Sequence, residues 1–148
     1  MEVQLKRYFI IILCLGSMAF STTSGASTQG QRVGIWGKQM TAIVEKISAA
    51  ELQLGKQVKR NDYKIYGTYG VKMDVYGTEI RNHEHAPIPQ LTVSTSKLST
   101  DVIKMGNSLR DYAVKPTTGN LHDIEKYQTA SNRDASILKS LVRKYSKT

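Results

Sequence analysis

YKIYGTYGVKMDVYGTEI, residues 63–80, carries four tyrosines, three glycines and no leucine. Read with period two, Ile65, Tyr69, Val71, Met73 and Val75 share one face, with Lys64, Thr68, Lys72, Asp74 and Thr78 opposite. Read with period 3.6, Tyr66, Tyr69, Met73, Tyr76 and Ile80 share a face instead. β-Branched and aromatic content favours a strand, and the glycines weaken either form. The flanking sequence decides for helix, because a lone strand here has no sheet partner.

Before this stretch, Trp36, Met40, Ile43, Ile47, Ala50 and Leu54 alternate spacings of four and three, an apolar stripe on one helical face. The spacing predicts a helix over 33–60, roughly 40 Å long at 1.5 Å per residue. After it, Leu98, Val102, Met105, Leu109 and Tyr112 repeat the pattern and predict a helix over 97–113, with caps drawn from the Ser/Thr-rich VSTSKLST. Leu121, Ile124, Gln128, Ser131, Ala135, Leu138, Val142 and Tyr145 predict a last helix over 120–146, capped by Asn120. Two of its central stripe positions are polar, which suggests looser packing there. Between 83 and 97, Pro87 and Pro89 predict an extended irregular connection, with Leu91 and Val93 suited to a short strand. With 62–82 taken as helix, the expectation is a mainly α chain, an elongated antiparallel helical bundle or set of hairpins with an irregular proline-containing middle loop.

The first 26 residues read differently. Lys6 and Arg7 precede an apolar run from Tyr8 to Phe20, and Ser24-Gly25-Ala26 fits a small-x-small cleavage site. That is the pattern of a secretory signal peptide, cleaved near Ala26, and it predicts an exported protein, periplasmic or extracellular. An uncleaved anchor is the alternative. Cys14, the single cysteine, lies inside the apolar run, so residues 27–148 form one domain that stands without disulfides. The chain's formal charge is +9; Glu2, Lys6 and Arg7 remove a net +1, leaving +8. A basic exported protein meets anionic surfaces, and nucleic acid is the less accessible of them.

Catalytic signatures are missing from the sequence. His83-Glu84-His85 supplies two imidazoles, but a stable metal site needs three or four ligands, and a solvated loop accounts for them. Asp62, Asp74, Glu79, Asp101 and Asp111 are scattered among cations as surface partners rather than a catalytic pair. No nucleophile elbow, phosphate loop or dinucleotide fingerprint occurs. Neither an enzyme nor a bound cofactor is expected. Two features suit binding. Tyr63, Tyr66, Tyr69 and Tyr76, beside Gly67, Gly70 and Gly77, are candidate partner-binding residues, the alternative being that half of them fill a thin core. Lys56, Lys59 and Arg60, with Lys139, Arg143 and Lys144, are candidates for contact with an anionic surface.

The long first helix (WGKQMTAIVEKISAAELQLGKQVKR, 36–60), variable middle and closing helix (LHDIEKYQTASNRDASILKSLVRKY, 121–145) follow a signal peptide. In layout this resembles the periplasmic minor-pilin family of bacterial type IV secretion and conjugative transfer systems. The resemblance implies a structural or adhesive, pilus-tip or channel-associated protein that contacts protein subunits of an envelope or pilus assembly, homo-oligomers included. The alternative is a secreted basic binding module for an anionic envelope polymer or membrane surface.

Overall fold

The computed structural model describes residues 27–59, 61–83 and 85–148. The signal peptide expected over 1–26, with Cys14, lies outside the described residues, as do Arg60 and Glu84. Four helices follow one another: α1 (Gln29–Gln57), α2 (Lys64–Asn82), α3 (Pro89–Val114) and α4 (Thr118–Tyr145). No strand occurs among the described residues. Each helix runs antiparallel to the one before it. Tyr69 on α2 meets Gln57 on α1 while Lys46 meets Glu79; Gly70 faces Gly106 while Gly77 faces Ser99. The ring closes between α4 and α1, where Gly37 lies against Val142 and Gly30 against Ser146. The chain is an up-down-up-down four-helix bundle.

The predicted stripes form the core. Trp36, Met40, Ile43, Ile47, Ala50 and Leu54 from α1 are buried, as are Leu98, Val102, Met105 and Leu109 from α3. All of the α4 stripe from Leu121 to Val142 is buried, and Tyr145 packs against the core's edge. On α2 the 3.6-residue face is the buried one: Tyr66, Tyr69, Met73 and Ile80 point inward and the half-buried Tyr76 packs beside them. The glycines make a second buried face. Gly70, Gly77 and Gly106 let α2 and α3 approach backbone to backbone, and Ser99 Oγ donates to the Gly77 carbonyl at 2.8 Å in that contact. Helix α1 touches α2 and α4 less extensively than α3 touches its two neighbours.

The largest difference from the sequence reading is the start of α3. It begins at Pro89, eight residues before the predicted 97, so the expected long loop shrinks to residues 83–88 and the Leu91/Val93 strand is helix. Proline suits a first helical turn because its missing N–H would have no partner there and its φ is already helical. Thr95 Oγ1 donates to the Leu91 carbonyl four residues back at 2.6 Å, which satisfies its hydroxyl inside the helix. The Ser/Thr-rich stretch therefore builds the helix rather than capping it. Helix α1 begins a turn earlier than predicted, at a capping box in which the Thr28 side chain accepts from the Gln31 N–H and the Gln31 side chain accepts from the Thr28 N–H. Its end falls at Gln57 instead of residue 60, and the chain then turns through Asn61, whose φ of 67° suits asparagine. Helix α4 is capped by Thr117 rather than Asn120.

Candidate functional site

Two of the four candidate partner-binding tyrosines are core residues. Tyr66 and Tyr69 are each 3% exposed and belong to the core. The Tyr69 hydroxyl donates to Gln57 Oε1 at 3.0 Å, tying α2 to the end of α1. Tyr66 and Tyr63 both set their rings edge-on to Tyr112 of α3, at centroid distances of 4.9 and 5.7 Å. Burial first, and the Tyr63 hydroxyl second, push the Tyr112 phenol up. Tyr63 and Tyr76 are half-buried and pack against the core. A four-helix bundle needs large side chains facing inward from α2, and the tyrosines supply them where leucines are missing.

The candidate cations divide. Lys56 and Lys59 sit at the C-terminal end of α1, beside the start of α2. Lys139, Arg143 and Lys144 sit at the other end of the bundle, where the last turns of α4 lie against the first turns of α1. Because Val142 lies against Gly37, Lys139 to Lys144 sit level with the first third of α1, and roughly 25–35 Å along the helix axis separates them from Lys56 and Lys59 at 1.5 Å per residue. The two groups are therefore separate clusters at opposite ends of α1.

The α1–α4 end is the more strongly charged. Segments 27–44 and 135–148 together contain Arg32, Lys38, Lys139, Arg143, Lys144 and Lys147, and no acidic residue. Lys139 and Arg143 are four residues apart and lie on one face of α4, about 6 Å apart along its axis, and Lys147 follows in the turn just past the end of the helix. Gly37, next to Lys38, touches Val142, next to Arg143, which brings the α1 cations alongside that face. Sequence reasoning left Arg32, Lys38 and Lys147 out of the site. The signal was present as two acid-free segments far apart in the chain, but joining them needs the antiparallel α1–α4 pairing.

Carboxyl groups gather lower in the bundle. Glu51 of α1 is buried, its pKa pushed up to about 8 by desolvation against a smaller opposing effect of the hydrogen bond from the Gln128 side chain. Its Oε1 has no hydrogen-bond partner. On α4, Asp134 is buried with Oδ2 unpartnered, while its Oδ1 accepts from Arg133 Nε at 3.2 Å. The Asp101 carboxyl of α3 is raised, first by partial burial and then by the hydrogen bond and charge of Asp134. Gln128 and Ser131, the polar stripe positions of α4, are both buried in this layer.

His83 and His85 lie in the α2–α3 connection, His83 with Nε2 at 3.2 Å from Gln39 Oε1 of α1. Among the described residues no group of three or more His, Cys, Asp or Glu is arranged to hold a metal ion. No helix among them is long and apolar enough to cross a membrane. What fold and site define together is a cation-edged up-and-down helical bundle. Comparison with protein-family models, curated proteins and solved structures finds no match to this chain.

Proposed function

We propose that the protein is a non-enzymatic binding module that holds a linear anionic polymer along the seam between the first half of α1 and the last half of α4. The observation that carries this reading is the six cations on two adjoining segments without an acidic residue. The α4 cations are arrayed as a stripe along a helix axis, which suits a chain of regularly spaced anionic groups better than a flat headgroup layer. Positive charge at helix C-termini is also stabilising in itself, so the stripe serves the fold as well as the ligand. The protein-contacting alternative rests on the helix layout and took the tyrosine face as its candidate surface, and Tyr66 and Tyr69 of that face are core. With the export signal read in residues 1–26, the polymer belongs to the cell envelope.

The test is binding to inorganic polyphosphate as a function of salt. The logarithm of the binding constant falls linearly with the logarithm of salt concentration, with a slope set by the number of cations engaged. The double variant Lys139→Glu, Arg143→Glu weakens binding at least tenfold and flattens the slope, each lost cation contributing about 1. Lys56→Glu, Lys59→Glu at the far end leaves both nearly unchanged. Equal loss from the two double variants, or binding insensitive to salt, overturns the reading; preference for anionic lipid vesicles over the polymer redirects it to a membrane surface.

A further inference from the structure

A cavity of about 140 Å³ opens at the same end of the bundle, between the end of α2, the start of α3 and Trp36 of α1. We infer that this cavity is a binding site for a small ring-bearing carboxylate, with the ring against Trp36 and the carboxylate on Arg81. Trp36 and Ile80, both buried in the core, and Ala86 form an apolar floor. Arg81, His85, Thr92 and Ser96 stand at the exposed rim. The volume is close to the ~150 Å³ apolar cavity that admits a benzene ring. A ring there gains offset or edge contacts with the indole as well as burial.

Charge selects the second half of the ligand. Arg81 makes no ion pair among the described residues, and no described lining residue is a carboxylate. A guanidinium offers a planar fork that matches a carboxylate with two parallel hydrogen bonds. Of the hydroxyls around it, Thr95 and Ser99 are already committed to the Leu91 and Gly77 carbonyls, whereas the Ser96 hydroxyl makes no hydrogen bond to a described residue. His83 is held by Gln39 and angles its ring toward Trp36, with centroids 6.3 Å apart, so it closes one wall rather than moving with the loop. Pockets of this kind, an apolar floor with a few convergent polar groups, are the usual form of a small-molecule site. The cation of this site, Arg81 on α2, is not one of the six cations of the polyanion seam, and Trp36 is the one floor residue that lies on the α1 segment of that seam.

Trp36 is the only tryptophan in the chain, so its fluorescence reports on the cavity directly. The protein is titrated with benzoate, and in parallel with benzyl alcohol, benzylamine and acetate. Benzoate is expected to give a saturable change, with affinity at least tenfold above the neutral, cationic and ringless probes. Arg81→Gln is expected to remove that preference for benzoate over benzyl alcohol while the thermal midpoint stays within a degree or two. Amide chemical-shift changes on benzoate addition are expected at Arg81, Ala86 and Ser96 and not at Lys139 or Arg143. No saturable response, equal response to benzoate and benzyl alcohol, or an unchanged preference in Arg81→Gln overturns the inference.

Discussion

Gly70 and Gly106 face each other across the α2–α3 contact so closely that a methyl group on either would lie 2.7 Å from the other's carbonyl oxygen. No real β-carbon tolerates that distance, and although Arg110 Cγ also crowds Gly70, the facing carbonyl oxygens are backbone atoms. Alanine is about 1 kcal/mol better than glycine in a helix interior. Overpacking costs typically about 1–3 kcal/mol or more, and here no side-chain movement relieves the clash with the facing carbonyl. Gly106→Ala and Gly70→Ala are therefore expected to lower stability by about 1–3 kcal/mol. Gly67→Ala meets only the Ala113 methyl, at 3.4 Å, and is expected to be neutral or to gain up to about 1 kcal/mol. Urea unfolding of the three variants distinguishes a packing role for these glycines from a merely permissive one.

The buried Glu51 makes stability depend on pH. Its carboxyl releases its proton near 4.5 in the unfolded chain and near 8 in the bundle. Between those values the folded state holds a proton that the unfolded state has given up, so raising pH removes stability, by up to about 1.4 kcal/mol per unit. The contribution is fully present below pH 4.5, falls through the neutral range and is lost once pH passes 8. Asp101 is raised too and acts in the same direction. Glu51→Gln keeps a polar partner for Gln128 without a charge. It is expected to raise the urea midpoint at pH 8, leave it nearly unchanged at pH 4.5, and flatten the curve between.

Asp134→Asn separates the effect of a neighbouring charge from that of burial at Asp101. The largest cause of the raised Asp101 pKa is its own partial burial, which the substitution leaves alone; the hydrogen bond and charge of Asp134 come next. Carbon-detected NMR titration is expected to find the Asp101 pKa lower in the variant yet still above an ordinary aspartate. A pKa unmoved by the substitution would show the two carboxyls to be independent.

Thr117 caps α4, its side chain accepting from the Asn120 N–H at 3.2 Å. Replacing such a cap by alanine costs about 1 kcal/mol. Asn120 lies inside the helix and donates from its side chain to the Lys115 carbonyl at 2.8 Å on an exposed surface. Thr117→Ala is expected to cost about 1 kcal/mol and Asn120→Ala less than half as much. Chemical denaturation of the pair checks which residue starts the helix.

Periodicity carried most of the fold. The stripes of α1, α3 and α4 are the buried residues, because an amphipathic helix has one way to hide its apolar face. The 3.6-residue face of 63–80 was equally visible, and the bundle selects it over the period-two face, leaving Val71 and Val75 more than half exposed. What the sequence could not separate was tyrosine as core from tyrosine as interface, since both settings want a large ring with a polar tip. Glycine beside tyrosine suggested room for another chain, and that room is filled by α3. The first turns of α3 were hidden because proline and β-branched hydroxyl residues signal loop or strand when no tertiary contact is known. The two candidate cation groups are local in sequence, whereas their separation, and the company Lys139 and Arg143 keep with α1, follow only from which helices are neighbours.

The glycine contact divides the molecule into parts of unequal permanence. Helices α2 and α3 share a backbone seam and α4 lies along α3, whereas α1 meets its two neighbours less extensively, closely only where Gly30 and Gly37 lie against the end of α4. The first sub-global opening is then the lifting of α1 from a surviving three-helix unit, ahead of global unfolding. In native-state hydrogen exchange the central amides of α1 become labelled before those of α3. Each such event exposes the indole of Trp36 on every side, so its emission shifts to the red as denaturant raises the opened fraction.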